Sequence, residues 1–239
     1  MDEAIVYYRL PGSTEVVRLQ GPVTAIDYQS ADLGALEGFI VHSFSNQPSF
    51  LIEPSGITRF PSDAFSAVSA NDPAYALSPG NSNRYIDREE YLSQLDPFKS
   101  EMVLDGIQKA IFSRVKRWDQ VVDVARTFAN LIRSYPTAFC YLVSSPETGT
   151  WVGATPEKLF NQDTNGDIYI HSLAGTRPVT DSNWTDKELE EQELVTRYIS
   201  NQLSENGFTG FTTGETETIS AGPVVSSVRS AGNPGITCL

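Results

Sequence analysis

The chain has 239 residues, 40% of them hydrophobic and 10% aromatic, enough to bury a sizeable core as one large domain or two smaller ones. Its formal net charge of −13 argues against nucleic acid or an anionic membrane as a partner, since either calls for a basic surface. No run approaches the roughly 20 apolar residues of a membrane span, and Met1-Asp-Glu-Ala lacks the basic and apolar regions of a secretion signal.

Apolar residues alternate in Ala4–Leu10, Val16–Leu19 is also extended in character, and Pro11-Gly12 between them predicts a hairpin. Gly38–Phe44 and Ser49–Ile52 repeat the pattern around Asn46-Gln-Pro48. Pro54 to Arg84, rich in Ser, Asn, Pro and Gly, reads as a long surface excursion. Asp87 caps a predicted helix running to about Gln108, and Lys109–Val115 then reads as a strand. A clearer helix starts at Asp119, with Val121, Val124, Ala125, Phe128, Leu131 and Ile132 on one face, and ends at Tyr135-Pro136. Cys140 lies in the apolar run that follows and reads as a buried small hydrophobe; it and Cys238 make no disulfide framework. With only two histidines a Cys/His zinc cluster is not expected, and a reducing cytoplasm is.

Thr137–Val143, Trp151–Ala154 and Ile168–Leu173 read as three further strands. Asp186 to about Ser204 reads as an amphipathic helix closed by Asn206-Gly207, followed by a strand at Glu215–Ile219. Strand pairs followed by single helices indicate a layered α+β fold with a largely antiparallel sheet and packed helices.

Four groups of residues bear on chemistry. Lys109 heads the run Lys-Ala-Ile-Phe-Ser-Arg114. A lysine held by an apolar sheet loses hydration and becomes a candidate general base; one at the rim keeps its head in water. Glu157 follows Pro156 at an expected break between strand and helix, where it either favours the helix dipole or serves as a general acid. Gly175 permits close backbone approach to a ligand, and Thr176 and Arg177 add donors suited to a carboxylate; a plain structural turn reads the same way. Glu191 lies on the same helical face as Val195, Tyr198, Ile199 and Gln202, so it needs a cation or metal as partner. Glu188 shares that face, whereas Glu190 and Glu193 point to solvent.

In order, Lys109-Ala-Ile-Phe-Ser-Arg114, Gly153-Ala-Thr-Pro-Glu-Lys-Leu159, Leu173-Ala-Gly-Thr-Arg177 and Glu191-Gln-Glu-Leu-Val195 resemble the N-terminal half of the chorismate-utilising enzymes, most closely the isochorismate synthases. The resemblance covers about Glu101 to Val225, with Gly222-Pro-Val224 similar to the start of a further family segment. It implies an incomplete chorismate-binding fold, like that of anthranilate synthase component I, and an Mg²⁺-dependent isomerase acting on chorismate. Such enzymes open routes to menaquinone, siderophores or salicylate. By resemblance Lys109 activates the attacking water and Glu157 protonates the departing hydroxyl. Gly175, Thr176 and Arg177 line the substrate, and Glu191 binds Mg²⁺. Gln192 departs mildly from relatives that carry histidine or another polar residue there.

The resemblance divides the chain into a strand-rich part with a long loop at 1–100, the N-terminal portion of a chorismate-binding domain at 101–225, and an atypical tail at 226–239. We expect a frameshift or premature stop just after Val225, leaving a polypeptide with little or no activity alone and with uncovered edges that favour self-association. Rival readings are an aminodeoxychorismate or anthranilate synthase component, and a non-catalytic chorismate-binding remnant.

Overall fold

Ala4–Arg9 is apolar on both faces, and such a strand belongs inside a sheet rather than at its edge. The computed structural model describes residues 3–42, 48–69, 85–118, 120–158, 160–165, 167–181, 183–221 and 224–233, and it puts that strand at the centre of five. The strands and helices in chain order are β1 (Ala4–Arg9), β2 (Glu15–Gly21), β3 (Val23–Ile26), β4 (Phe39–Val41), β5 (Ser49–Ile52), β6 (Gly56–Pro61), α1 (Phe65–Ser69), α2 (Arg88–Leu104), α3 (Val124–Ser134), β7 (Phe139–Ser145), β8 (Gly149–Thr155), β9 (Phe160–Gln162), β10 (Ile168–Pro178), α4 (Asp186–Glu205), β11 (Thr212–Ala221) and β12 (Val224–Asn233). Every strand pairing is antiparallel. Among the described residues no helix is long and apolar enough to cross a membrane.

Two compact units result: Met1–Asn81 with Val121–Pro156, and Ser82–Gln120 with Glu157–Leu239. In the first, the sheet runs β6-β2-β1-β7-β8 and a smaller one β3-β5-β4. Alternation along β1 sends Ile5 and Tyr7 to one face and Ala4 and Val6 to the other. Tyr7 meets Phe65 of α1 at 5.0 Å between ring centres, and Phe65 meets Phe128 of α3 at 4.8 Å. Val6, Leu19, Ile52 and Val143 fill the opposite face beneath the smaller sheet. Arg9 is buried but not stranded: its guanidinium donates to the carbonyls of Ile132 (2.8 Å), Tyr135 and Ala138 (3.1 Å), a cation closing the C-terminus of α3. Cys140 beside it is fully buried as expected, and burial raises its thiol pKa despite the opposing Arg9 charge.

The second unit carries the sheet β11-β12-β10-β9, with α4 packed on β10. Asp87 caps α2 as expected, accepting from the Glu90 N–H at 2.8 Å.

Several expectations are corrected. The stretch from Pro54 is not one irregular excursion, because β6 pairs with β2 and α1 follows; only Phe60 of β6 is buried, a pattern too sparse to read as a strand. Residues 70–84 lie outside the described residues, as do Leu159 and Gly222-Pro223. Lys109–Val115 is not a strand, and among the described residues no strand pairs with it. It is held by side chains instead: Phe112 lies between the rings of Tyr91 and Phe98 of α2, at 4.9 and 4.7 Å, and the Tyr91 hydroxyl donates to its carbonyl at 3.0 Å. The helix expected from Asp119, itself outside the described residues, starts at Val124. Asp123 is its cap, accepting from Arg126 N–H at 2.9 Å, and Val121 is 97% exposed. Residues 226–233, read as part of an atypical tail without convincing periodicity, belong to β12 and pair with both β10 and β11.

Truncating Phe128 to alanine should destabilise the first unit by about 3–5 kcal/mol, the cost of a cavity under a buried ring. Urea unfolding followed by circular dichroism measures this, and a loss below about 1 kcal/mol would mean the α1–α3 face is not packed.

Candidate functional site

The residues singled out for chemistry, Lys109, Glu157, Gly175, Thr176, Arg177 and Glu191, all belong to the second unit. The geometry around them starts from a defect in β10. Its register with β12 shifts between Ala174 and Thr176, leaving Gly175 as a bulge with φ of +71°. A Cβ at this position would stand 2.9 Å from the Glu188 carbonyl and 3.2 Å from the Glu188 Cβ. Only glycine therefore lets the first turn of α4 sit down on the bulge.

That turn is built to end there. Thr185 and Glu188 form a capping box, the Thr185 N–H donating to the Glu188 carboxylate at 3.1 Å. The Thr185 hydroxyl holds the Glu188 carboxyl below the ordinary glutamate range. One turn on, Glu191 accepts from the Lys109 ammonium, with Nζ to Oε1 at 2.9 Å, and its carboxyl also feels the nearby Gly175 backbone N–H. Lys187 approaches Oε2 at 3.6 Å. Burial pushes the Glu191 carboxyl pKa up, but the hydrogen bond and charge of Lys109, then Lys187 and the Gly175 amide, outweigh it and leave the carboxyl below its usual range. Lys109 and Glu191 are separated by 82 residues, and both side chains are about three-tenths exposed.

The other candidates have surroundings of their own. Thr176 is exposed, and its hydroxyl lies 3.2 Å from that of Ser226. Successive strand residues alternate faces, so Thr176 sits on the side of the sheet away from Arg177. Arg177 stacks on Trp184 at 4.6 Å and donates to the carbonyls of Pro178 and Asp181, bracing the turn before α4 rather than presenting a free fork. Glu157 is exposed in the connection from β8 to β9, not at a helix start. The expected face of α4 is also rotated: Tyr198 is 65% exposed, and the side against the sheet centres on buried Gln192 and Thr196. Glu193 is exposed, as expected, and pairs there with Arg229 at 2.9 Å.

Lys187, Ser172 and Thr196 went unnoticed in the sequence, and Gln192 stood out only as a departure from its relatives. The one signal was the spacing of Gln192, Thr196, Ile199 and Leu203 along a helical stripe, disguised by its two polar members.

Glu191 offers hard oxygen ligands, and Mg²⁺ is usually held through one or two protein carboxylates with water and substrate oxygens completing its shell. The donor chemistry therefore fits Mg²⁺ at a single protein ligand. Among the described residues no three His, Cys, Asp or Glu gather as a ligand set. Lys109 and a divalent ion would compete for the same oxygen, Oε1.

The family model for chorismate binding enzyme matches residues 62–205. No curated protein matches the chain. The fold is similar to that of MenF, the menaquinone-specific isochorismate synthase from Escherichia coli, at 14% identity and a TM-score of 0.63, covering 98% of this chain and 65% of that one. It is likewise similar to DhbC from Bacillus anthracis, described as a 2,3-dihydroxybenzoate-specific isochorismate synthase, at 14% identity and a TM-score of 0.64, covering 98% and 69%. The chain thus spans about two thirds of the length of these structures.

Because its pKa is lowered by folding, Glu191 contributes stability that is present above the ordinary glutamate range and is lost as pH falls through the folded value. The carboxyl carbon shift of Glu191 should titrate below about 4.5. In Lys109→Met it should move upward. An unchanged titration in that variant would mean the ion pair is absent in solution.

Proposed function

Because the chain belongs to the chorismate-binding enzyme family, we propose that it carries the chemistry of an isochorismate synthase, converting chorismate to isochorismate with Mg²⁺. Chorismate is a dianion, and this chain is strongly acidic, so local positive charge is a condition of binding it. Lys109 and Lys187 supply that charge beside Glu191.

In this reading Lys109 parts from Glu191, gives up a proton to solvent, and then takes one from a water molecule as that water attacks the ring. Glu157 donates a proton to the allylic hydroxyl, which leaves as water while the ring double bonds shift. One water is consumed and one released, so the reaction is an isomerisation. A base and an acid acting on separate oxygens each contribute roughly 10²–10⁴-fold. Mg²⁺, held by Glu191, would neutralise a substrate carboxylate. The Gly175 amide nearby favours the charged form of the Glu191 carboxyl.

One observation supports the reading most. Lys109, Gly175 and Glu191 come from three of the four sequence motifs, and they converge on a single carboxylate.

Calorimetry with chorismate and Mg²⁺, followed by an assay for isochorismate, tests the proposal. Chorismate should bind in an Mg²⁺-dependent manner, and Glu191→Gln should remove that dependence. Lys109→Ala and Glu157→Gln should each lower isochorismate formation by about 100-fold or more. Absence of chorismate binding, or an amino product when ammonia is supplied, would reject it.

A further inference from the structure

We infer that Gln192 is a positioning residue that clamps α4 to β10 and so keeps the first turn of the helix on the Gly175 bulge and the Glu191 carboxylate within reach of Lys109. The clamp itself stands on geometry; its use in catalysis rests on the function proposed above.

Gln192 immediately follows Glu191 and is 2% exposed. Its side-chain amide donates to the Ser172 carbonyl at 3.3 Å and to the Ser172 hydroxyl oxygen at 3.1 Å. Ser172, 3% exposed, donates in turn to the Arg229 carbonyl of β12 at 3.0 Å. Thr196 lies one turn further along α4, 2.8 Å from the Ser172 hydroxyl and 3.1 Å from the Gln192 carbonyl. The donors can be ordered without conflict. The two amide protons go to Ser172, the Ser172 proton to Arg229, and the Thr196 proton to the Gln192 carbonyl or the Ser172 oxygen. A connected polar chain thus runs from α4 across β10 to β12 in a buried setting, where unpaired members would be costly.

Its placement gives it leverage. Gln192 is one residue from the carboxylate on the helix, and Ser172 is three residues before the bulge on the strand. Apolar side chains would hold α4 against the sheet but let it slide, because the hydrophobic effect has no direction. Hydrogen bonds to fixed β10 atoms set both the height and the rotation of the helix. With those set, the Glu191 carboxylate stays near the Gly175 N–H, and the first turn lies so close to the bulge that a Cβ at Gly175 would stand 2.9 Å from the Glu188 carbonyl.

Gln192→Leu, of similar size, removes the direction and keeps the volume. Residue-resolved amide exchange by NMR on the 239-residue chain reads the outcome. Exchange at the Gly175 amide, buried where the first turn of α4 meets the bulge, should accelerate about tenfold or more as the helix loosens from it. The Ile170 and Val228 amides, in the same sheet away from the bulge, should change by less than about twofold. Mg²⁺ affinity should fall alongside. Ser172→Ala, a smaller cut that keeps the carbonyl acceptor, should give the same selective effect to a lesser degree and serves if Gln192→Leu fails to fold. Equal acceleration at all three amides would assign Gln192 a merely structural role and overturn the inference, as would an unchanged Gly175. If Gly175 responds selectively while the parent chain binds no chorismate, the clamp stands and the proposed function falls.

Discussion

Everything in the candidate site follows from how closely α4 lies on the bulge of β10. A side chain at Gly175 would meet the backbone of Glu188, so the absence of a Cβ decides whether the helix reaches the sheet. Contact at that point exposes the Gly175 N–H to the helix, and an acid one turn along is the group that can accept it. The bulge also frees the amide, since a register shift removes it from the β10–β12 ladder.

Charge plays a secondary part in this arrangement. An ion pair whose members keep about three-tenths of their surface in water contributes little to stability, and salt screens it. Lys109 therefore does not hold the site together. Its segment is fastened by Phe112 between two rings of α2, and that anchor delivers the lysine to the Glu191 carboxylate.

Legibility in the sequence followed how local the determining forces are. The β1–β2 hairpin, the capped start of α2 and nearly all of α4 were readable, because turns, caps and helical spacing act within a few residues. Ala4–Arg9 was readable as a strand, though not as the central one. Lys109–Val115 was misread because its alternating pattern resembles a strand, while a strand exists only where a partner supplies hydrogen bonds. β12 was missed for the converse reason: Ser226-Ser-Val-Arg-Ser has little apolar signal, yet β10 and β11 both pair with it.

The sequence alone determined which residues are equipped for proton transfer and cation binding, namely Lys109, Glu157 and Glu191, and through their order it pointed to the family. Residue type and motif spacing carry that information without coordinates. Only the tertiary structure decided that Lys109 and Glu191 share one carboxylate contact, that Thr176 and Arg177 part to opposite faces, and that Gln192 faces inward. Those facts depend on a register shift and a helix rotation, which arise from packing between segments far apart in the chain and leave no periodic trace in either.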